Sequence, residues 1–234
     1  MIAGAAAGVA VGCRRARARA TIAPQRGRRQ GLRGPGGIGR MTDSGAPVPF
    51  REALAEDILA HVPPELRDVA RRGWWVRTTL GVVGRSAGFR LTCLYRLGHL
   101  AHRRCGRAGR LLAGGLSWWG RHWYGCALDP RARLGGGLIL PHPQGIVIGP
   151  GATTGPRAWI YQNVAIVGAP GLAGMPRVGA DCRIYTGAVL VGPVAVGDHA
   201  ILGANVVITR DVPGGATVRR PPPAVVPLPG PGGR

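Results

Sequence analysis

Chemistry at neutral pH needs a group that titrates there or an activated nucleophile, and this chain offers few. It carries six His and five Cys among 234 residues. The string Pro141-His142-Pro143-Gln144-Gly145-Ile146-Val147-Ile148-Gly149 sets one imidazole between prolines, ahead of an aliphatic run. An imidazole titrating near about 6.5 can take a proton from a hydroxyl and hand it to a leaving group. A single His beside a turn can equally make a structural hydrogen bond, and the residue alone leaves both readings open. His99, His102 and His122 are spread over a basic region, none at ligand spacing from another His and an acid. After His142 only His199 remains, out of phase with it. A zinc hydratase on a β-helix needs three His around the metal, so no metal is expected. Cys13, Cys93, Cys105, Cys126 and Cys182 are scattered, odd in number and free of any CxxC, which indicates neither a disulfide framework nor a zinc knuckle. A reducing cytosol is the compartment they fit.

The elements that must position His142 follow from a beat of six. Apolar or small residues fall at Leu128, Leu134, Leu140, Ile146, Ala152, Ala158 and Val164, and after an interruption at Val178, Ile184, Leu190, Val196, Leu202 and Ile208. Hexapeptide repeats signify a β-helix, in which each repeat is a short strand plus a corner and three repeats close a triangular coil of about 18 residues. The beat residue points into the prism, where only a narrow aliphatic stack fits. Glycines and other small residues after the beat suit the corners. Sandwich strands would alternate with period two and turn at irregular spacing instead.

Around this solenoid, over 127–213, the chain divides into three further parts. Residues 1–45 are Ala/Gly/Arg/Pro low complexity with almost nothing to bury, and disorder is expected there. An over-long start fits them, since Met41 opens an ordinary polar beginning; a nucleic-acid-binding arm is the sharper reading, and no nucleic-acid partner is expected. Residues 46–126 read as helical: an amphipathic helix over 50–60, another over 65–72, and a basic region from Trp74 to Tyr124. Twelve Arg lie between Arg67 and Arg121, interleaved with five Trp over that region. The plain reading is a cap whose apolar face packs on the first coil with its arginines in water; the sharper one is a surface resting on an anionic membrane. Residues 214–234 form an extended Pro/Gly-rich tail after the break Thr209–Ala216. The net charge of +21 comes from 31 Arg with no Lys. That one-sidedness points to coding bias, so no phosphate recognition is read into each Arg. No apolar run reaches the ~20 residues of a membrane span, and the apolar Met1–Gly12 stretch precedes its arginines, the reverse of a secretory signal. A cytoplasmic protein is expected.

The His142 string, in phase with the hexapeptides, resembles the serine acetyltransferase branch of the hexapeptide-repeat acyltransferases. The likeness runs from Tyr95-Arg96-Leu97-Gly98-His99 to Val226 and includes Leu128-Asp129-Pro130, Tyr161-Gln162-Asn163-Val164, Met175-Pro176-Arg177-Val178-Gly179 and Asp211-Val212-Pro213. It implies a left-handed parallel β-helix, a homotrimer, and acetyl-CoA as co-substrate with no metal. His142 would be the general base that activates an acceptor hydroxyl. CoA would lie in a groove between neighbouring prisms, along Gly168, Thr186, Gly203 and Ala204, with Arg210, Arg219 or Arg220 at its phosphates. The family's pattern also sets an acid near Ala127 to orient the base, an Asp at Pro141, and an Arg-His pair at Gly174-Met175; none of these is present here. Asp129, on the same side of the strand as Ala127 by parity, is the candidate substitute. A site that grips an amino acid needs charges, so the acceptor is expected to be serine or, with those charges gone, a sugar or polysaccharide-precursor hydroxyl. A non-catalytic β-helix scaffold is the competing reading. Peripheral membrane contact through the Trp/Arg region completes the expected partners.

Overall fold

A computed structural model describes residues 49–63, 67 and 75–221. The low-complexity residues 1–45, most of the expected helix over 65–72, and the tail beyond residue 221 lie outside the described residues. Among the described residues four longer helices precede the coil: α1 (Phe50–Ala60), α2 (Trp75–Arg85), α3 (Ala87–Arg104) and α4 (Gly106–Tyr124). Ser86 starts α3 by accepting a hydrogen bond from the Phe89 N–H at 3.1 Å, and Gly125, at φ 60°, ends α4. The α3–α4 hairpin is close enough that a Cβ on Gly109 would stand 2.0 Å from the Ala101 carbonyl oxygen. Only glycine permits that approach.

Thirteen strands of two or three residues then wind a triangular parallel β-helix. Each turn visits three sheets: A (β1 Ala127–Leu128, β3 Val147–Ile148, β6 Ala165–Val167, β9 Val189–Val191, β12 Val207–Ile208), B (β2 Arg133–Leu134, β4 Thr153–Thr154, β7 Arg177–Val178, β10 Ala195–Val196) and C (β5 Trp159–Ile160, β8 Arg183–Ile184, β11 Ile201–Leu202, β13 Thr217–Val218). In sheet A, Leu128 pairs with Ile148, Ile148 with Ile166, Ile166 with Leu190, and Leu190 with Ile208. The steps are therefore 20, 18, 24 and 18 residues. The 24-residue step carries an excursion through Gly171 and Met175; the 20-residue step hides two extra residues. Solenoid pairing does not stop at Pro213 as expected. Thr217 and Val218 form β13, which pairs in parallel with Ile201 and Leu202 and adds another rung.

All thirteen beat residues lie in one buried cluster. Their apparent single phase is an illusion of the sequence. A hexapeptide can bury two residues, as with Ala132 and Leu134, or Ala200 and Leu202. Leu128 and Leu134 occupy the strand position, whereas Ile146, Ala152, Ala158 and Val164 occupy the one two residues earlier. The slip falls between Leu140 and Ile146, at the histidine.

The helices are joined to the first coil through Leu91 and Tyr95, which share its core, and through a set of polar contacts. Arg96 is 5 % exposed and Asp57 fully buried. The Arg96 Nε donates to Asp57 Oδ2 at 2.9 Å, and its two terminal nitrogens reach the carbonyls of Leu134 and Gly135 at 2.5 Å. The Leu138 N–H donates to Asp57 Oδ1 at 2.9 Å. Tyr95 donates to the Ala132 carbonyl and accepts from the Leu134 N–H, and His99 Nδ1 bonds the Pro130 carbonyl. The Tyr95-Arg96-Leu97-Gly98-His99 string is thus a docking device. Burial pushes the Tyr95 phenol up to about 12, so it stays a donor at any physiological pH.

Two expectations for this region need correction. The arginines are not all in water, because Arg96 is inside the docking contact. The apolar face packs inward only in part: α3 buries Phe89, Leu91 and Tyr95, the last two within the core of the coil, but α4 buries Gly109, Ala113 and Gly120, while Leu111, Leu112 and three tryptophans face out. Small residues win the inner face because the α3–α4 approach leaves no room for more. Removing one partner of a buried ion pair strands the other charge. Asp57→Asn is therefore expected to lower the unfolding free energy by ~3–5 kcal/mol, measured as a lower urea midpoint at unchanged slope.

Candidate active site

The site lies on the corner between sheets C and A. Ile139 pairs with Trp159, whereas Val147 pairs with Ala165. The chain thus uses two more residues to turn this corner in the first coil than in the second. His142-Pro143 lies in that surplus, and the imidazole is exposed. The bulge is pinned by its backbone: the Gln144 N–H donates to the His142 carbonyl at 2.8 Å, and the Asn163 N–H to the Gln144 carbonyl at 2.8 Å. Below it the same corner recurs in register. Ile160, Ile184, Leu202 and Val218 are successive partners in sheet C, and each is followed by a corner residue: Tyr161, Tyr185, Gly203 and Arg219. One step further come Gln162, Thr186, Ala204 and Arg220, with the Gly187 N–H bonded to the Gln162 carbonyl and the Asn205 N–H to that of Thr186.

Six of the residues expected at the site thus share one edge of the prism: His142, Thr186, Gly203, Ala204, Arg219 and Arg220. Three do not. Asp129, Gly168 and Arg210 lie on the corner leaving sheet A, across the sheet from the imidazole. The Asp129 carboxylate is occupied by Arg131, with contacts at 2.8 Å to the backbone N–H and 3.0 Å to both Nε and a terminal nitrogen. Burial raises the Asp129 carboxyl, but the Arg131 hydrogen bonds and charge outweigh it and hold it below its ordinary value. Asp129 therefore does not orient His142 within this chain, contrary to the expectation from strand parity. Parity gave the correct face; it did not give the neighbour that takes the charge. Gly168 has a local reason to be small: a Cβ there would stand 2.9 Å from Met175 Sδ. Met175 covers Gly149 in the same way, so the position where the family pattern has a charged pair is an apolar plug.

The structure adds site residues beyond those expected. Tyr161 lies with its ring centroid 6.5 Å from that of His142 and stacks on Tyr185 at 4.9 Å and 19°. The signal is present in the matching strings Ile160-Tyr161-Gln162 and Ile184-Tyr185-Thr186, but only the 24-residue coil step aligns them. Gln162 carries a buried Oε1 with no hydrogen-bond partner, the one such side-chain atom among the described residues. It marks a place where a donor from a bound molecule would be satisfied. No group of His, Cys, Asp and Glu among the described residues could hold a metal. The thiols supply no nucleophile from the core: burial pushes Cys93 and Cys182 up to about 11 and raises Cys126 as well.

A triangular hexapeptide coil with a histidine displaced from one corner defines the class of hexapeptide-repeat transferases. Residues 175–210 match the family described as bacterial transferase hexapeptide (six repeats). The serine acetyltransferase of Helicobacter pylori is 33% identical over 132 residues, covering 56% of this chain and 75% of that protein. The chain belongs to the serine acetyltransferase family. Among solved structures, the soybean serine acetyltransferase complexed with serine superimposes with a TM-score of 0.59 at 26% identity, covering 72% of this chain and 65% of that one. A serine acetyltransferase in complex with CoA gives 0.57 at 27%, covering 72% and 66%. The chain thus spans about two thirds of the length of these solved relatives.

Since the Arg131 hydrogen bonds and charge hold the Asp129 carboxyl below its ordinary value, Arg131→Ala is expected to raise the Asp129 titration midpoint, read by NMR.

Proposed function

We propose that this chain transfers an acetyl group from acetyl-CoA to a hydroxyl, with His142 as the general base. The observation that carries the reading is the two-residue bulge that sets one exposed imidazole at the head of a corner column that runs past Tyr161 and Tyr185 to the small residues Thr186, Gly203 and Ala204. The acceptor O–H donates its proton to the imidazole as its oxygen attacks the thioester carbonyl. The tetrahedral adduct then collapses by breaking the C–S bond, and the departing CoA sulfur takes the proton from the imidazolium. The core thiols are protonated at neutral pH, which fits direct transfer with no covalent enzyme intermediate. The small corner residues admit a pantetheine chain close to the backbone, Gln162 Oε1 is an acceptor for one of its amide N–H groups, and the exposed Arg219 and Arg220 at the foot of the column suit its phosphates.

A homotrimer fits the outer surface of sheet A. Its outward row is Ala127, Val147, Ala165, Val189 and Val207, apolar throughout, with Val207 64 % exposed. Sheet B turns Arg133, Thr153 and Arg177 outward instead. A second copy covering sheet A would bring the Asp129 and Gly168 corner of one chain towards the His142 corner of the next.

The names of the relatives point to serine as acceptor. A specific observation favours a sugar hydroxyl in its place. The positions that would grip an ammonium and a carboxylate hold Pro141, Gly174 and Met175, while the Tyr161–Tyr185 stack beside His142 offers a flat aromatic platform suited to the apolar face of a sugar ring. Two measurements test the reading. His142→Ala is expected to lower turnover by ~10²–10⁴, read as thiol release from acetyl-CoA, while CoA binding by titration stays unchanged; undiminished turnover removes His142 from the mechanism. In a panel of amino acids, free sugars and lipid-linked sugars, sugar acceptors are expected to release thiol faster than serine. Efficient O-acetylserine formation would return the acceptor to serine.

A further inference from the structure

We propose that the outward face of α4 is a membrane-surface anchor that rests among the headgroups of an anionic bilayer. The helix is amphipathic in the unusual direction. Its inner face is Gly109, Ala113 and Gly120, packed against α3, and its large apolar residues point away from the protein. Leu111, Trp118 and His122 follow one another at spacings of seven and four, and Leu112, Trp119 and Trp123 repeat that spacing one residue on. The two rows make a continuous stripe on a helix. Leu111 is 80 % exposed and Trp123 65 %, and the rings are stacked along the stripe, Trp118 on His122 at 5.1 Å and Trp119 on Trp123 at 5.8 Å. Burying such residues among lipid headgroups recovers the hydrophobic free energy that the fold leaves unused.

Charge selects the occupant. Arg107, Arg110 and Arg121 flank the stripe, all exposed, and Arg103 and Arg104 precede it in the last turn of α3. Between Val69 and Leu128 the sequence has eleven Arg and no Asp or Glu. A second copy docked through the same face would set these arginines against each other with no acid on either side to relieve them. An anionic lipid surface complements them all at once, and Trp with Arg is the pairing that suits the interface between headgroup and acyl chain. The helix would lie on the surface: no described helix is long and apolar enough to cross a membrane. The proposal stands whichever hydroxyl the enzyme acetylates.

The test is co-sedimentation of the full-length chain with vesicles of phosphatidylcholine alone or mixed with phosphatidylglycerol. The full chain is expected to partition onto the anionic vesicles at least about tenfold more strongly than onto the neutral ones. The triple variant Trp118→Gln, Trp119→Gln, Trp123→Gln is expected to lose about tenfold of that partition, with an unchanged melting temperature because the three side chains make no core contact. Wild-type protein that stays in the supernatant with anionic vesicles would overturn the proposal. So would a triple variant that sediments as well as wild type, which would assign binding to the arginines of residues 1–40. An oligomer of the wild type that the triple variant loses in sedimentation velocity would assign the face to a second copy and overturn it too.

Discussion

The buried pair of Asp57 and Arg96 is the contact on which the rest of the molecule depends. A β-helix has open ends, and the first coil must be capped by something that satisfies its unpaired backbone groups. Arg96 does this for the Leu134 and Gly135 carbonyls, and Asp57 does it for the Leu138 N–H, while each neutralises the other. Two buried charges are tolerable only with nearly full hydrogen bonding, and here the guanidinium and the carboxylate each bond both the partner and the coil. The arrangement ties α1, α3 and the first turn into one unit. The histidine corner follows that turn directly, so the cap also determines how firmly the first bulge is held.

Much of this is legible in the sequence, and the failures have physical causes. The six-residue beat locates the coil because a narrow prism admits only small or aliphatic side chains. It conceals the slip at His142-Pro143 because both inward positions of a hexapeptide are apolar, so Ile146 keeps time with Leu140 although the two occupy different places. Asp211, Pro213 and Gly214 look like a stop to the solenoid. Parallel pairing of Thr217 with Ile201 shows that a corner can carry those residues and continue. In the cap, α3 packs as expected through Leu91 and Tyr95, whereas α4 does not, because hydrophobic periodicity reports that a face is apolar and says nothing of which way it points.

At the site the same limit appears in another form. The column of Thr186, Gly203 and Ala204 is implied by the family resemblance, and the stacking of like positions in the coil explains why the three share a corner that Gly168 does not. Asp129 cannot be resolved that way, since a carboxylate goes to whichever cation is nearest, and Arg131 is two residues away. Tyr161 and Tyr185 are hidden by the excursion before Met175, which lengthens their spacing from 18 to 24 residues.

The extra pair of residues at His142-Pro143 has a further consequence. A perfect repeat would make every edge of the prism alike, and a protein built that way could display only an array of equivalent surfaces. The displaced imidazole behaves like a dislocation in a crystal: with the excursion before Met175, it is one of two defects that tell one turn from the next. A translationally periodic scaffold thereby acquires an address, and each copy of the chain presents one such imidazole however many turns its solenoid is lengthened by.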